Sequence, residues 1–145
     1  MAVRIAPAAA MRRTVPPGRL TAFAVLTGLT SLIIFLQAVT AGQFVSQPGH
    51  QGWVTIHGVV ADVAWGLALV TASYAVAVLR RAIPGLVVAA IVLFVLTLAQ
   101  TGIGHLITGH GDDGWIAVHV PLAFVIFGLT LWLSVRAALA RRSTR

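Results

Sequence analysis

The chain has 145 residues, of which 59% are hydrophobic and 9% charged, with a net charge of +7, no cysteine, no lysine and no glutamate. A soluble domain of this size carries roughly 25% charged residues, so the composition excludes a water-soluble globule and points to the bilayer. The absence of cysteine excludes disulfides, thiolate metal sites and covalent c-type haem attachment.

In chain order, residues 1–19 form an arginine-containing N-terminal segment with Arg4, Arg12, Arg13 and Arg19. A first apolar run follows at 20–46. Arginines ahead of it and Val39-Thr40-Ala41 within it imitate a secretory signal and its cleavage site, but the run is long for a signal core, and an uncleaved helix is expected. After the loop 47–52 comes a second run at 53–79, then Arg80 and Arg81, a third run at 84–108, the loop 109–114 and a fourth run at 115–136. Each supplies the roughly 20 apolar residues that a spanning helix needs. The tail 137–145 carries Arg141, Arg142 and Arg145, with Arg136 just before it. Predicted is an all-α fold, a four-transmembrane-helix bundle over 20–136.

All ten cations are arginines, and all lie in the two terminal segments or the middle loop; the loops 47–52 and 109–114 have none. This is the positive-inside pattern of a multi-pass cell-membrane protein with both termini cytoplasmic. The charge therefore reports topology and argues against nucleic acid as a partner. The arginine-rich ends are also suited to contact with anionic lipid.

Displacing the chain by 62 residues without a gap brings its halves, 29–70 and 91–132, into correspondence. Gly42 meets Gly104, Gly49 meets Gly111, Gly52 meets Gly114, Trp53 meets Trp115, His57 meets His119, Ala61 meets Ala123 and Gly66 meets Gly128. The fold is thus expected to consist of two parallel repeated helical hairpins related by an axis along the membrane normal. His57 and His119 then sit at one depth, each about 6 Å of helix rise below an interfacial tryptophan. With short loops, helices 2 and 4 lie diagonally and the two imidazoles face each other.

A single histidine near a helix end ordinarily caps a carbonyl or sits in the wet interface. A repeated one inside a span is costly and points to function. His57, Val60, Ala61 and Ala64 share one stripe, and His119, Leu122, Ala123 and Ile126 share the other. Gly42, Gly102 and Gly104 at similar depth either permit close helix contact or leave room for a macrocycle. Two opposed neutral imidazoles in a sulfur-free apolar pocket suit the axial positions of a b-type haem. His105, near the outer end of helix 3, is placed to bond a haem propionate or to act as a rival ligand. A lone zinc or copper ion needs three or four ligands, recruited from His50, His105, His110, Asp112 or Asp113. That asymmetric cluster reads instead as a solvated loop in which Asp112 or Asp113 caps helix 4. Asp62 points about 140° away from the ligand stripe, either protonated or bonded to Thr27 or Thr30. Pro121 is expected to bend helix 4 and set the angle of His119. Gln37 and Gln100 read as interhelical hydrogen-bond partners.

A Gln followed by Gly in each odd helix (Gln37 to Gly42, Gln100 to Gly104), a short outer loop, and then His with Ala four residues on (His57/Ala61, His119/Ala123) resemble one four-helix half of the haem A synthase family. The likeness covers roughly residues 20–135. It implies that His57 and His119 are a haem-liganding pair. The family's eight helices and its carboxylate beside a ligand histidine are missing, so haem hydroxylation is not implied; the residues before His57 are Trp53, Val54, Thr55 and Ile56. What it implies is the electron-relaying role: a cytochrome-like protein holding non-covalent haem b through its iron near the outer face, for electron transfer, haem handling or sensing, rather than an enzyme. The partners implied are the bilayer, a redox protein or a quinone, with an oligomer or a larger membrane complex also compatible. The alternatives are a structural or accessory membrane subunit without cofactor, and a metal-ion binding or transport protein using the outer His/Asp cluster.

Overall fold

The computed structural model describes residues 15–143; Arg4, Arg12, Arg13 and Arg145 of the arginine pattern lie outside them. Four α-helices follow one another: α1 over Pro17–Ser46, α2 over Gln51–Leu79, α3 over Pro84–His110 and α4 over Ile116–Arg142. All four are long and apolar enough to cross a membrane, and the chain is a multi-pass membrane protein.

Prolines open α1 and α3. At a first helical position the missing N–H costs nothing, because no carbonyl precedes it in the helix to receive that bond. The odd helices end at turns that use Gly49 at φ 87° and Gly111 at φ 66°, a left-handed conformation that glycine adopts without a Cβ penalty. Gly111 N–H donates to Ile107 O at 3.1 Å and closes α3. Two ends differ from the sequence expectation. Asp113–Trp115 forms a 3₁₀ turn before α4, so the two tryptophans are not equivalent helix starts. At the far end α4 continues six residues past 136, through Ala, Leu and Arg, to Arg142. These are strong helix formers, and Ala137 is fully buried.

Each helix packs on its chain neighbours, and α1 also packs on α4, while the diagonal pairs α1/α3 and α2/α4 have no close backbone approach among the described residues. The result is an up-down-up-down bundle. Its interior mixes small and large side chains: Ala68, Ala75, Ala90 and Ala137 are fully buried beside Phe23, Leu79, Leu93 and Leu133, whereas Phe124 is 74% exposed. In lipid an apolar exterior costs nothing, and association depends on the close approach that small residues permit. Threonines are the buried polar residues of this interior. Thr30, Thr71 and Thr130 each donate to the carbonyl four residues earlier, as does Thr97 to Leu93. Thr30 and Thr71 hydroxyls meet at 3.1 Å between α1 and α2, and Ser31 and Ser134 at 2.8 Å between α1 and α4.

The burial pattern shows the repeat and corrects its register. In the even helices, buried Ala64, Ala68, Thr71 and Ala75 correspond at a displacement of 62 to buried Ile126, Thr130, Leu133 and Ala137. In the odd helices, buried Phe23, Thr27, Thr30 and Ile34 correspond at 63 to buried Leu86, Ala90, Leu93 and Thr97. The second hairpin is therefore one residue shorter between its helices. Gly42 stands opposite His105, Gly104 opposite Ala41, and the Gly42–Gly104 pairing of the gapless displacement does not hold in space.

Interior positions with no spare volume are sensitive to enlargement. Ala68→Leu is expected to lower stability by about 1–3 kcal/mol through overpacking, whereas Val70→Leu, on the exposed face, changes it by less than about 0.5 kcal/mol. Thermal unfolding in detergent measures both.

Candidate functional site

The conserved geometry of the two hairpins is built from one hydrogen bond used twice. Gln37 Nε2 donates to His57 O at 3.0 Å, and Gln100 Nε2 donates to His119 O at 2.9 Å. A helical carbonyl has a second lone pair beyond the one used by its own helix, and each glutamine takes it up. Because a carbonyl only accepts, the amide NH₂ of each glutamine must face it. Gln37 and Gln100 are thus interhelical partners, within α1/α2 and α3/α4, and they hold the two histidines at equivalent places on diagonal helices.

His57 and His119 are both half-buried and stand at equivalent places on the diagonal helices α2 and α4, whose backbones make no close approach among the described residues. Their surroundings differ, because equivalent places on α1 and α3 carry different residues. Thr40 Oγ1 lies 2.9 Å from His57 Nδ1 and 3.0 Å from Gln37 O. With the Thr40 proton on the Gln37 carbonyl, the hydroxyl accepts from His57 Nδ1–H, the tautomer in which Nε2 presents a lone pair. Phe44 meets the same ring edge-on, with centroids 5.3 Å apart. On the other side Ile103 occupies the place equivalent to Thr40 and can offer no acceptor. His119 Nδ1 is buried without a hydrogen-bond partner. Gly104 passes beside this ring, where a Cβ would lie 3.4 Å from His119 Cε1; a side chain larger than alanine would occupy the ring's place.

Other expected pocket residues are arranged less symmetrically. Ala61 is half-buried and Ala123 exposed. Gly42 is exposed, and a Cβ there would meet no atom within 4 Å, so Thr40 and Phe44 form the α1 wall beside His57. His105 is exposed and donates Nδ1–H to Thr101 O at 2.9 Å, which leaves its Nε2 with a lone pair. Thr40 and Phe44 as ring partners were missed by the sequence reading, though Thr40 lies one helical turn beyond Gln37 and the spacing alone could have indicated it.

Two further expectations are corrected. Asp62 is exposed, and its carboxylate accepts from Trp65 Nε1–H at 3.2 Å; Thr30 instead pairs with Thr71, across the interface from which Asp62 points away. Asp112 and Asp113 make no capping hydrogen bond to the 3₁₀ turn or to α4, because that turn already supplies the helix with its first carbonyls. No group of three or more metal-ligating side chains converges among the described residues, so His50, His105, His110, Asp112 and Asp113 do not form a metal site.

Buried polar atoms without partners gather in this layer: Gln37 Oε1, Gln100 Oε1 and His119 Nδ1. An apolar span does not leave such atoms bare without cost. Chemically, the arrangement offers two imidazoles from opposite corners of the bundle, one with its Nδ1–H engaged and its Nε2 presented.

Compared with known proteins, the chain matches no family model, no curated protein and no solved structure.

If the glutamine bonds anchor the histidine layer, Gln37→Leu and Gln100→Leu should each destabilise the bundle by about 0.6–1.7 kcal/mol, the range measured for hydrogen bonds between membrane helices. Thermal unfolding in detergent reads the loss, with Leu36→Ile on the exposed face of α1 as the unaffected control.

Proposed function

We propose that the protein is a small b-type membrane cytochrome that holds one haem b between His57 and His119 and passes single electrons to or from a partner. The observation that carries this is the pair of histidines at equivalent positions on diagonal helices, each with its carbonyl held by a glutamine. The donor set fits the group: two imidazoles, no sulfur, and a tautomer at His57 that presents Nε2, the nitrogen that ligates iron when Nδ1–H is engaged elsewhere. The orphaned polar atoms of the layer also favour a site completed by something bound. When bound, haem supplies the one-electron chemistry.

The chain's own residues orient and insulate. Thr40 fixes the rotation of the His57 ring, Phe44 covers one edge of it, and Gly104 gives the His119 ring its space beside α3. Within the same proposal, the resemblance to one half of the haem A synthases describes the electron-relaying half and not the hydroxylating one. The protein would lie in the cell membrane with both termini in the cytoplasm, as the arginine distribution favours, and the histidine layer would face outward. His105, with its Nε2 lone pair at the same end, would assist at a propionate once that carboxylate is protonated, or through water. A redox protein or a quinone would complete the electron path.

Absorption spectra test this directly. Purified wild type supplied with haem should give a six-coordinate bis-histidine spectrum in both oxidation states, and His57→Ala and His119→Ala should each lose it. A wild type that stays colourless after haem addition refutes the cofactor and leaves an accessory subunit. An unchanged spectrum at full occupancy in both variants refutes the ligand assignment.

Thr40→Val provides a finer measurement. It should retain haem while raising the midpoint potential, because a ligand imidazole whose Nδ1–H loses its acceptor becomes a poorer donor to ferric iron. Potentiometric titration of the two proteins measures the shift.

A further inference from the structure

At the end of the bundle opposite the histidines, three arginines line one recess. Arg19 comes from the first turn of α1, Arg80 and Arg81 from the α2–α3 connection, and Val15, Pro16, Ala77, Val78 and Ala82 complete the wall around about 310 Å³. The recess has a defined frame. Tyr74 Oη–H donates to Arg19 O at 3.1 Å, tying the first turn of α1 to α2. Ala82 N–H and Ile83 N–H both donate to Leu79 O, at 3.0 and 2.9 Å, and fold the connection tightly back over the end of α2. The backbone that carries all three arginines is thereby held by hydrogen bonds.

Among the described residues no acidic side chain lies at this end. The chain has three acids; Asp112 and Asp113 lie in the loop at the other end, and Asp62 lies in the half of α2 nearer the histidines. Positive-inside arginines are ordinarily spread along a solvated loop. Here they share a concave site whose other lining is aliphatic, at the level where the spans end and headgroups begin. Guanidinium forks match phosphate oxygens in shape and charge, and the aliphatic wall suits glycerol and the first methylenes of an acyl chain.

We infer that this recess is a binding site for a phosphate group, with Arg19, Arg80 and Arg81 as its ligands. Two sources carry that chemistry, the headgroup of an anionic phospholipid and free inorganic phosphate. The site is independent of the histidine layer and of any cofactor there.

Native mass spectrometry of the full-length protein in a neutral detergent tests it, with phosphatidylglycerol, phosphatidylcholine and inorganic phosphate as separate probes. Phosphatidylglycerol is expected to bind about 100-fold more weakly to the Arg19→Gln/Arg80→Gln/Arg81→Gln variant than to wild type, and about 5-fold more weakly for each single change, following the energy of one arginine at an anionic surface. Circular dichroism should show the same helix content in all variants. Arg136→Gln, at the same end but packed over Trp132 at 5.8 Å, should bind as wild type does. Retention of phosphatidylglycerol that phosphate does not displace assigns the lipid source; binding of phosphate alone assigns the free ion, and either supports the site. Equal retention of phosphatidylcholine, unchanged binding in the triple variant, or an equal loss in Arg136→Gln overturns it.

Discussion

A side-chain amide reaching across to the carbonyl of a histidine, once in each hairpin, is the interaction on which the arrangement depends. In lipid an amide has no water to satisfy it, so Gln37 and Gln100 must find acceptors in the protein. The acceptor each finds is the backbone of the residue whose ring matters most. That bond fixes how far α1 and α2, or α3 and α4, have slid past one another, and so sets the depth of each imidazole. The threonine and alanine packing below it supplies close approach without dictating depth, since a stripe of small residues fits against its neighbour at more than one height.

Much of this was legible from residue types and spacing. Four apolar runs separated by short polar loops leave little choice but four spans, and the Trp-to-His step in both halves marked the second and fourth as equivalent. The diagonal placement followed from short loops. What was not legible is instructive. A gapless displacement of 62 matched glycines in the outer loops and residues of the even helices, and carried Gly42 onto Gly104 by coincidence, because glycine is frequent there. Only burial, which responds to helix phase, shows that the odd helices correspond at 63. Asp62 reads from the sequence as either protonated or bonded to Thr27 or Thr30, yet its position on α2 leaves it exposed, and its donor is the Trp65 indole three residues later. The partners of the histidine rings escaped notice because Thr40 and Phe44 lie on α1, and contact between helices is set by a phase that one sequence does not disclose.

The two ends of the bundle divide the polar chemistry between them. One end concentrates neutral donors and acceptors around two imidazoles, where ligand choice rests on lone pairs and tautomers. The other concentrates permanent charge, with guanidinium groups that do not change protonation at any physiological pH. The helices connecting them carry buried threonine and half-buried serine hydroxyls whose protons are turned to their own helix carbonyls or to one another, and no charged side chain is buried there among the described residues.

The one-residue difference between the hairpins does not reach the helix faces. The connecting loop takes up that residue, so the odd helices keep their phase and Thr40 and Ile103 occupy equivalent places; the two rings differ because one place carries a hydroxyl and the other an aliphatic side chain. One ring is thus held in orientation by its neighbour across the interface, and the other is placed by its own helix and by the space at Gly104. The pair has a fixed jaw and an adjustable one.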